Sequence, residues 1–246
     1  MTRRRWIADE VHGNTAALIG EHALHLALVL RAEVGQEFDI ATGDAVRLGK
    51  ITSISGDRVE FALGAEQIIR PAPHVTLVLA IFKFDRMEWA IEKCTEIGIT
   101  RVIPVIARRT DAHLASAAQK RCERWQRIAL QAAEQSRRAS PPGIAVPVKL
   151  KDLGSAGVSP TGQPEAGAMA SRIVLAECED DRRLRDALQG HPREAVLAVG
   201  PEGGWTDDEL RWFHESGWIA ASLGDTVLRA ETAAIVAATI ALDALR

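Results

Sequence analysis

A glycine-rich loop near the C-terminus has the composition of a ligand-contacting segment. The sequence GPEGGWTDDE (200–209) directly follows an apolar run at 195–199, so it lies at the carboxyl end of a predicted strand. Pro201 fixes its own φ and lacks a backbone donor, whereas Gly203 and Gly204 permit conformations and close approaches that a Cβ would block. The loop could hold a ligand against its backbone, or it could be a tight turn between a strand and a helix.

A second glycine-bearing loop carries two opposite charges. The sequence LGDTVLRAETAAI (223–235) follows another predicted strand and places Arg229 and Glu231 at the start of a helix that is otherwise poor in charge. If the two loops follow neighbouring strands, they could enclose one ligand between them. Alternatively, the two charges form an ion pair at a helix terminus, which contributes little when it is exposed. Neither G-x-G-x-x-G nor G-x-x-x-x-G-K-[ST] occurs, so a dinucleotide or Walker-type phosphate site lacks its usual sequence support.

The elements that position these loops follow an α/β pattern. Apolar spacing predicts helices from Arg86 to Ile97, ahead of Gly98, and from Lys120 to Arg138. Strands that alternate with helices predict a mainly parallel sheet with a ligand site at the carboxyl ends of its strands. Thr206 and Glu209 have the spacing of a capping box that would begin the helix after the first loop. Continuous apolar runs, typical of strands buried on both faces, occur at 75–82, 101–107, 172–177, 195–200 and 219–224.

The N-terminal region has a different pattern. Short alternating or β-branched segments such as AVRLGKITSIS and RVEFALG are separated by turn signals, which predicts a small antiparallel barrel or sandwich. Two prolines in RPAPH (70–74) favour an extended linker, so the predicted domains are 1–72 and 73–246. The stretch 154–170, rich in Gly, Pro, Ser and Ala, is expected to be an exposed flexible loop.

Charge is distributed unevenly along the chain. The net charge is -3, but residues 101–151 carry +8 and residues 152–246 carry -8. A basic centre indicates a localised anionic partner, with nucleic acid the leading candidate, although a solvated arginine-rich helix face would look the same.

Cysteine usage and hydropathy bound the location of the protein. The three cysteines, Cys94, Cys122 and Cys178, form no C-x-x-C pair, which argues against a disulfide framework and against a zinc or other metal site. We therefore expect a reduced, cytoplasmic setting. The N-terminus has no hydrophobic stretch of a signal peptide, and the run AAIVAATIAL is too short to span a bilayer, so no membrane association is expected.

Five segments, in order along the chain, carry the motifs of a known family: HLALVLR (25–31), KFDRMEWAIEKCTEIGITRVIPV (83–105), WQRIALQAAEQSRR (125–138), GPEGGWTDDEL (200–210) and LGDTVLRAETAA (223–234). Together they resemble the RsmE family, the 16S ribosomal RNA uridine N3-methyltransferases of the knotted SPOUT superfamily. Two departures from the family pattern are small: Cys94-Thr95 stands where Ala-Thr is usual, and RRTDAHL (108–114) follows the family's loop only loosely.

This resemblance implies a fold and an assembly that the residue patterns do not give. It implies a PUA-like, RNA-binding β-barrel at 1–72 and a SPOUT methyltransferase domain at 73–246, which holds a trefoil knot and binds S-adenosylmethionine. A knot is a topology that general rules of chain connection disfavour. The resemblance also implies a homodimer whose active site lies near the subunit interface, and 16S ribosomal RNA or the 30S subunit as the partner.

The implied chemistry assigns roles to both loops. Uridine N3 must lose its proton before it can accept a methyl group, so an anion on the uracil oxygens needs stabilisation, and Arg229 is the first candidate because arginine stays protonated and presents a fork of donors. Glu231 would either orient Arg229 or accept the proton. Backbone groups of three loops are expected to hold the cofactor. The predicted cofactor-binding residues are Leu175, Ala176, Glu177, Gly200, Pro201, Glu202, Gly203, Gly204, Leu223, Gly224, Val227, Leu228, Ala230 and Thr232.

Candidates for RNA contact are spread over both predicted domains, and each basic one could equally be a solvated surface charge. Trp6 could stack on a base, and His25 could instead be a packed barrel residue. The candidates are Arg3, Arg4, Arg5, Trp6, His25, Arg31, Lys83, Arg86, Arg108, Arg109, Arg137 and Arg138. Two other functions stay open: ribose 2′-O-methylation of RNA by the same scaffold, and RNA binding without catalysis.

Overall fold

The chain forms two compact units. The computed structural model describes residues 5–43, 45–67, 73–158, 170–189 and 194–246. One unit contains 1–71 and 133–141, and the other contains 72–132 and 142–246. Residues 133–141, which the predicted division assigns to the second domain, thus cluster with the N-terminal unit. Residues 70–72 of the predicted linker and 159–169 of the predicted flexible loop lie outside the described residues.

The N-terminal unit is built on a mainly antiparallel sheet. Within its described residues the sheet has six strands in the order β1-β4-β5-β6-β3-β2, and only β1 and β4 pair in parallel. A short helix and one π-helical turn connect β3 to β4. The elements are β1 (Arg5–Ile7), β2 (Glu10–His12), β3 (Thr15–Ile19), α1 (Glu21–Leu24), the π-helix (His25–Val29), β4 (Glu37–Ala41), β5 (Val46–Ser55) and β6 (Arg58–Gln67).

The C-terminal unit is a parallel sheet, as the continuous apolar runs predict. Its described strands follow the order β10-β8-β7-β12-β11-β13, with β9 also pairing with β8, and every pair is parallel. These strands are β7 (His74–Ala80), β8 (Arg101–Ile106), β9 (Gly143–Ile144), β10 (Val148–Lys149), β11 (Ala170–Leu175), β12 (Glu194–Val199) and β13 (Ile219–Ala221). The predicted α/β fold, with a barrel-like sheet ahead of a parallel one, is confirmed.

Helices cover both faces of this sheet. Successive residues of β12 point to opposite faces, so Leu197 enters the core on one side and Ala198 the core on the other. The first core contains Trp125 and the second is centred on Phe213 with three tryptophans around it. The helices are α2 (Phe84–Ile97), α3 (Ala112–Gln135), a 3-10 helix (Leu150–Ala156), α4 (Leu184–Ala187), α5 (Asp207–Glu215) and α6 (Ala230–Ala244).

Several predicted boundaries differ from the structure by a few residues, and the structure explains two of the larger differences. Helix α3 begins eight residues before the predicted start at Lys120, because buried Leu114 and Ala118 extend its apolar stripe towards the N-terminus. Strand β13 ends at Ala221 rather than at residue 224, because its partner β11 ends at Leu175, directly opposite Ala221.

Candidate functional site

The carboxyl ends of three adjacent strands of the parallel sheet open onto one cleft. Strands β12, β11 and β13 lie side by side, and their carboxyl ends meet at the same edge. The loops that follow them enclose a cavity of about 530 Å³ within the C-terminal unit, a volume in the range of small-molecule and cofactor sites. The sequence left open whether the two glycine-bearing loops follow neighbouring strands. They do not, because β11 lies between β12 and β13. The loop after β11 therefore forms the third wall.

Most residues predicted to hold a cofactor line this cleft. Gly203 and Thr232 are the two that do not. Residues that sequence reasoning missed, such as Cys178 and Trp205, also line it; each directly follows a predicted strand or glycine loop, which is the signal that could have found them. The predicted lining residues found there are Leu175, Ala176, Glu177, Gly200, Pro201, Glu202, Gly204, Leu223, Gly224, Val227, Leu228 and Ala230.

The loop after β12 is a turn followed by a confirmed capping box. The Gly204 N–H donates to the Pro201 carbonyl at 2.8 Å, and Gly204 has a φ of 70°, which favours glycine. At the start of α5 the Glu209 N–H donates to Thr206 Oγ1 at 3.3 Å, and the Thr206 N–H donates to Glu209 Oε2 at 2.9 Å. Together these bonds satisfy backbone donors at the start of the helix and fix the loop at both ends.

Two glycines of this loop make room for protein side chains. A Cβ on Gly200 would lie 3.3 Å from Trp205 Nε1, and one on Gly203 would lie 3.3 Å from Arg109 Cδ. Arg109 Nη1 also donates to the carbonyls of Gly203 at 2.5 Å and Trp205 at 3.3 Å. Arg109, predicted only as an RNA contact, thus lines the cleft and supports its glycine loop.

The loop after β13 is tied to the segment before α4. Arg183 donates to the Asp225 carboxylate and, at 3.4 Å, to Ser222 Oγ. Residues 224–227 are otherwise exposed, and Val227 is 79% exposed. Ion pairing by Arg183 therefore restrains a wall of the cleft that has little packing of its own.

Three guanidinium groups line the cleft, and their environments differ. Arg86 pairs with Glu202, and Arg109 is hydrogen-bonded to two carbonyls. Arg229 is exposed and precedes the first turn of α6, and in the described part of the chain its guanidinium has no hydrogen bond or ion pair. Arg229 is therefore the guanidinium that is available to a ligand.

Glu231 lies apart from Arg229. Its side chain is 7% exposed, and its ion-pair partner among the described residues is Arg86, with Nε 3.8 Å from Oε1. On α6, Ala230 and Ala233 line the cleft and Glu231 does not. The expected pairing of Arg229 with Glu231 is thus absent from this structure, because the Glu231 side chain lies on the buried face of the helix, beside Arg86 of α2.

Candidates for RNA contact divide between the two units. In the C-terminal unit Lys83, Arg108 and Arg109 are exposed and Arg86 is half-buried. Arg108 also donates its backbone N–H to Glu209. These four residues flank the start of α2 and the loop after β8, so two of the loops beside the cleft carry basic side chains.

In the N-terminal unit the structure corrects one prediction. Trp6 is 3% exposed and packs in the core, with its ring centroid 5.8 Å from that of His25, so its face is not available for stacking on a base. His25, Arg31 and Arg137 are exposed, Arg138 is half-buried, and half-buried Arg5 donates to the Arg137 carbonyl. Arg3 and Arg4 lie outside the described residues.

The described ranges lack both a membrane-spanning helix and a metal-binding cluster. They contain no helix both long and apolar enough to cross a bilayer. They also contain no group of three or more His, Cys, Asp and Glu side chains arranged to hold a metal ion.

Comparisons with known proteins give consistent results. The sequence model of the family described as "RNA methyltransferase domain" matches residues 70–242. The chain is 34% identical to ribosomal RNA small subunit methyltransferase E of Synechocystis over 233 residues, covering 93% of this chain and 73% of that protein. It is 33% identical to the protein of the same name from Mycobacterium bovis over 234 residues, covering 92% and 85%.

A solved structure has the same fold over nearly its full length. It is ribosomal RNA small subunit methyltransferase E from Neisseria gonorrhoeae, bound to S-adenosyl methionine. The TM-score is 0.81 at 28% identity, and the match covers 96% of this chain and 95% of that one.

Proposed function

The chain belongs to the ribosomal RNA small subunit methyltransferase E family, and we propose that it transfers a methyl group from S-adenosylmethionine to N3 of a uridine in 16S ribosomal RNA. The observation that carries the proposal is the cleft at the carboxyl ends of β12, β11 and β13, lined by the residues expected to hold the cofactor. One guanidinium in this cleft, that of Arg229, has no partner in the described part of the chain.

The residues of the cleft suit S-adenosylmethionine. The carboxylates of Glu177 and Asp207 line it without an ion-pair partner in the described part of the chain and match the positive charge of the sulfonium and ammonium groups. Two others, those of Glu202 and Asp225, already pair with arginines. Backbone groups of the three strand-end loops would hold the adenosyl part, and Leu175, Val199 and Leu228 give it an apolar surface. When bound, this cofactor supplies an electrophilic methyl carbon.

The role of Arg229 follows from the chemistry of the accepting nitrogen. Uridine N3 carries a weakly acidic proton, and its loss to solvent water places negative charge on N3 and on the two carbonyl oxygens of the uracil. A guanidinium with unused N–H donors can donate to the carbonyl oxygens that carry this charge. Arg229 therefore favours the deprotonated form of the base, and the fixed loops orient the two reactants.

RNA binding is assigned to both units. Lys83 and Arg108, which are exposed beside the cleft, would contact phosphates near the target nucleotide. The N-terminal sheet and the exposed His25, Arg31 and Arg137 would hold more distant RNA. We also propose that the chain is a homodimer that acts in the cytoplasm.

The test is methyl transfer to small subunits. Wild-type protein, methyl-labelled S-adenosylmethionine and 30S subunits lacking the modification are incubated together, with free 16S RNA as a second substrate. The RNA is digested and the labelled nucleoside is identified. We expect label in 3-methyluridine. Label in a 2′-O-methylated nucleoside would replace N3 with ribose methylation, and RNA binding without any transfer would support the non-enzymatic alternative.

A further inference from the structure

We propose that Arg86 is a positioning residue that holds the glycine loop at 200–205 against the first turn of α6, and that Glu231 acts through Arg86. The inference rests on the proposed function, since it concerns how two walls of the methyl-donor cleft are kept in place. It also decides between the two roles expected for Glu231, proton acceptor and orienting partner, in favour of an orienting role towards a different arginine.

Arg86 connects two elements that carry the site. It lies in the first turn of α2, is half-buried and lines the cleft. Its Nη1 lies 3.3 Å from Oε1 of Glu202, which belongs to the glycine loop, and its Nε lies 3.8 Å from Oε1 of Glu231, in the first turn of α6. One guanidinium thus joins the loop after β12 to the helix that follows Arg229.

The position of Glu231 does not suit a proton acceptor. A general base must come within hydrogen-bond reach of the proton that it removes. Glu231 is buried and shares the buried face of α6 with Ala234 and Ala238. The residues of α6 that line the cleft are Ala230 and Ala233. Its carboxylate therefore faces packed protein and Arg86.

The ion pair of Arg86 and Glu231 leaves hydrogen-bonding atoms unused on both residues. Among the described residues Glu231 Oε2 is buried without a hydrogen-bond partner, and no bond to Arg86 Nη2 is found. Arginine binds carboxylates through two parallel N–H···O bonds. Closing the 3.8 Å gap would pair Nε and Nη2 with both oxygens of Glu231 and leave Nη1 for Glu202. We expect a ligand that orders the glycine loop to tighten this pair.

The experiment is a double-mutant cycle read out as cofactor affinity. The Kd of S-adenosylmethionine is measured by calorimetry, without RNA, for wild type, Arg86→Gln, Glu231→Gln and the double variant. Each single change is expected to raise Kd roughly tenfold and the double change by little more, because the two residues act as one unit. Arg86→Lys keeps the charge but not the fork, so only part of the affinity should return.

A control and a second readout separate positioning from general loss of structure or from catalysis. Arg124→Gln breaks another arginine–carboxylate pair between α3 and α2, in which Arg124 Nε lies 2.7 Å from Glu88 Oε1; it does not touch the cleft, and its Kd should equal that of wild type. The pH dependence of methyl transfer by Glu231→Gln should keep the wild-type shape, since no titrating base has been removed. Glu202→Gln, at a more exposed position, should raise Kd by less than Arg86→Gln does.

Specific results would overturn the inference. Additive effects in the cycle, or a wild-type Kd in both single variants, would do so. So would a Glu231→Gln variant that binds S-adenosylmethionine normally but loses turnover with an altered pH profile, because that behaviour identifies a proton acceptor. If Glu231→Gln fails to fold, the Arg86 and Glu202 variants carry the test. A wild-type chain that binds no S-adenosylmethionine contradicts the proposed function as well, whereas binding with additive effects contradicts this inference alone.

Discussion

The backbone N–H of Arg108 donates a 2.7 Å hydrogen bond to Oε1 of Glu209, which lies 101 residues further along the chain. Glu209 is 9% exposed. The other oxygen of its carboxylate accepts the Thr206 N–H. One buried side chain therefore caps α5 and also holds the loop after β8 beside the glycine loop. The stability of the cleft and the start of this helix are thus coupled.

Removal of the Thr206 hydroxyl, which caps α5, should modestly lower the free energy of unfolding. Thr206→Ala eliminates the hydroxyl that accepts the Glu209 N–H at 3.3 Å, and we expect the free energy of unfolding to fall by about 1 kcal/mol, the usual effect of losing an N-cap. Urea unfolding followed by circular dichroism measures it. Thr206→Ser, which keeps the capping hydroxyl, serves as the control, and equal losses in both variants would contradict the capping role.

Arg229→Ala should impair turnover without affecting the fold. The guanidinium has no partner in the described part of the chain, so its removal leaves no buried charge unpaired, but it removes the donor proposed to stabilise the uracil anion. We expect kcat to fall roughly 10² to 10³-fold, as for the loss of one oxyanion donor. The measurement is methyl transfer to 30S subunits, with Arg124→Gln as the control. Turnover close to wild type would remove Arg229 from the mechanism.

Cysteine alkylation should report on cofactor binding without any RNA. Cys178 is exposed and lines the cleft. Cys94 is fully buried, and burial raises the pKa of its thiol to about 12, so it should not react at neutral pH. With S-adenosylmethionine at ten times its Kd, the alkylation of Cys178 by iodoacetamide should slow roughly tenfold, since only the free protein exposes the thiol. Mass spectrometry of peptides gives the alkylation rates. Equal rates with and without S-adenosylmethionine would show that the cofactor binds away from Cys178.

A histidine in the N-terminal unit should make stability depend on pH. His22 Nδ1 lies 3.5 Å from Asp9 Oδ2, and Nε2 lies 3.5 Å from Glu134 Oε1. The hydrogen bond that His22 donates to Asp9 raises the pKa of His22 above its usual value, although burial opposes the rise and the charge of Glu134 adds to it. Since the folded pKa exceeds the unfolded one, this stabilisation is complete below about pH 6.5 and is lost as pH rises through the folded pKa.

The variant His22→Gln tests this dependence. The free energy of unfolding of this variant, relative to that of wild type, should be lower at pH 6 than at pH 8.5. Both pH values lie above the pKa of Asp9. Burial raises that pKa, but the hydrogen bonds from His22 and from the Ile19 N–H, together with the charge of His22, lower it below its usual value. Exposed His12, changed to Gln, is the matched control. A difference from wild type that is the same at both pH values would show that His22 contributes by packing alone.

Much of the fold could be predicted from local patterns, because periodicity and capping are local properties. The buried strands and the capping box of Thr206 and Glu209 were predicted in this way and are confirmed. The order of strands is not local, so the place of β11 between β12 and β13 could not be predicted from such patterns. Leu175, Ala176 and Glu177, at the end of β11, were expected at the cleft only because of the family resemblance. The partner of Glu231 was missed for the same reason: Arg86 is far away in the chain and is brought near by the packing of α2 on α6.

Residue type alone also misled in one case. Trp6 follows a run of arginines and was predicted to stack on a base, but it alternates inward on β1 and enters the core of the N-terminal unit. An aromatic residue beside basic ones indicates nucleic-acid contact only when its ring is exposed. The knot implied by the resemblance is a property of chain threading, which no residue spacing encodes.

The most direct test of the account is a crystal structure of this chain with S-adenosylmethionine. We expect the cofactor in the cleft between the loops that follow β12, β11 and β13, with its adenosyl part against their backbone and its methyl group on the side of Arg229. A cofactor bound outside these three loops, or a cleft that stays empty at saturating S-adenosylmethionine, would contradict it.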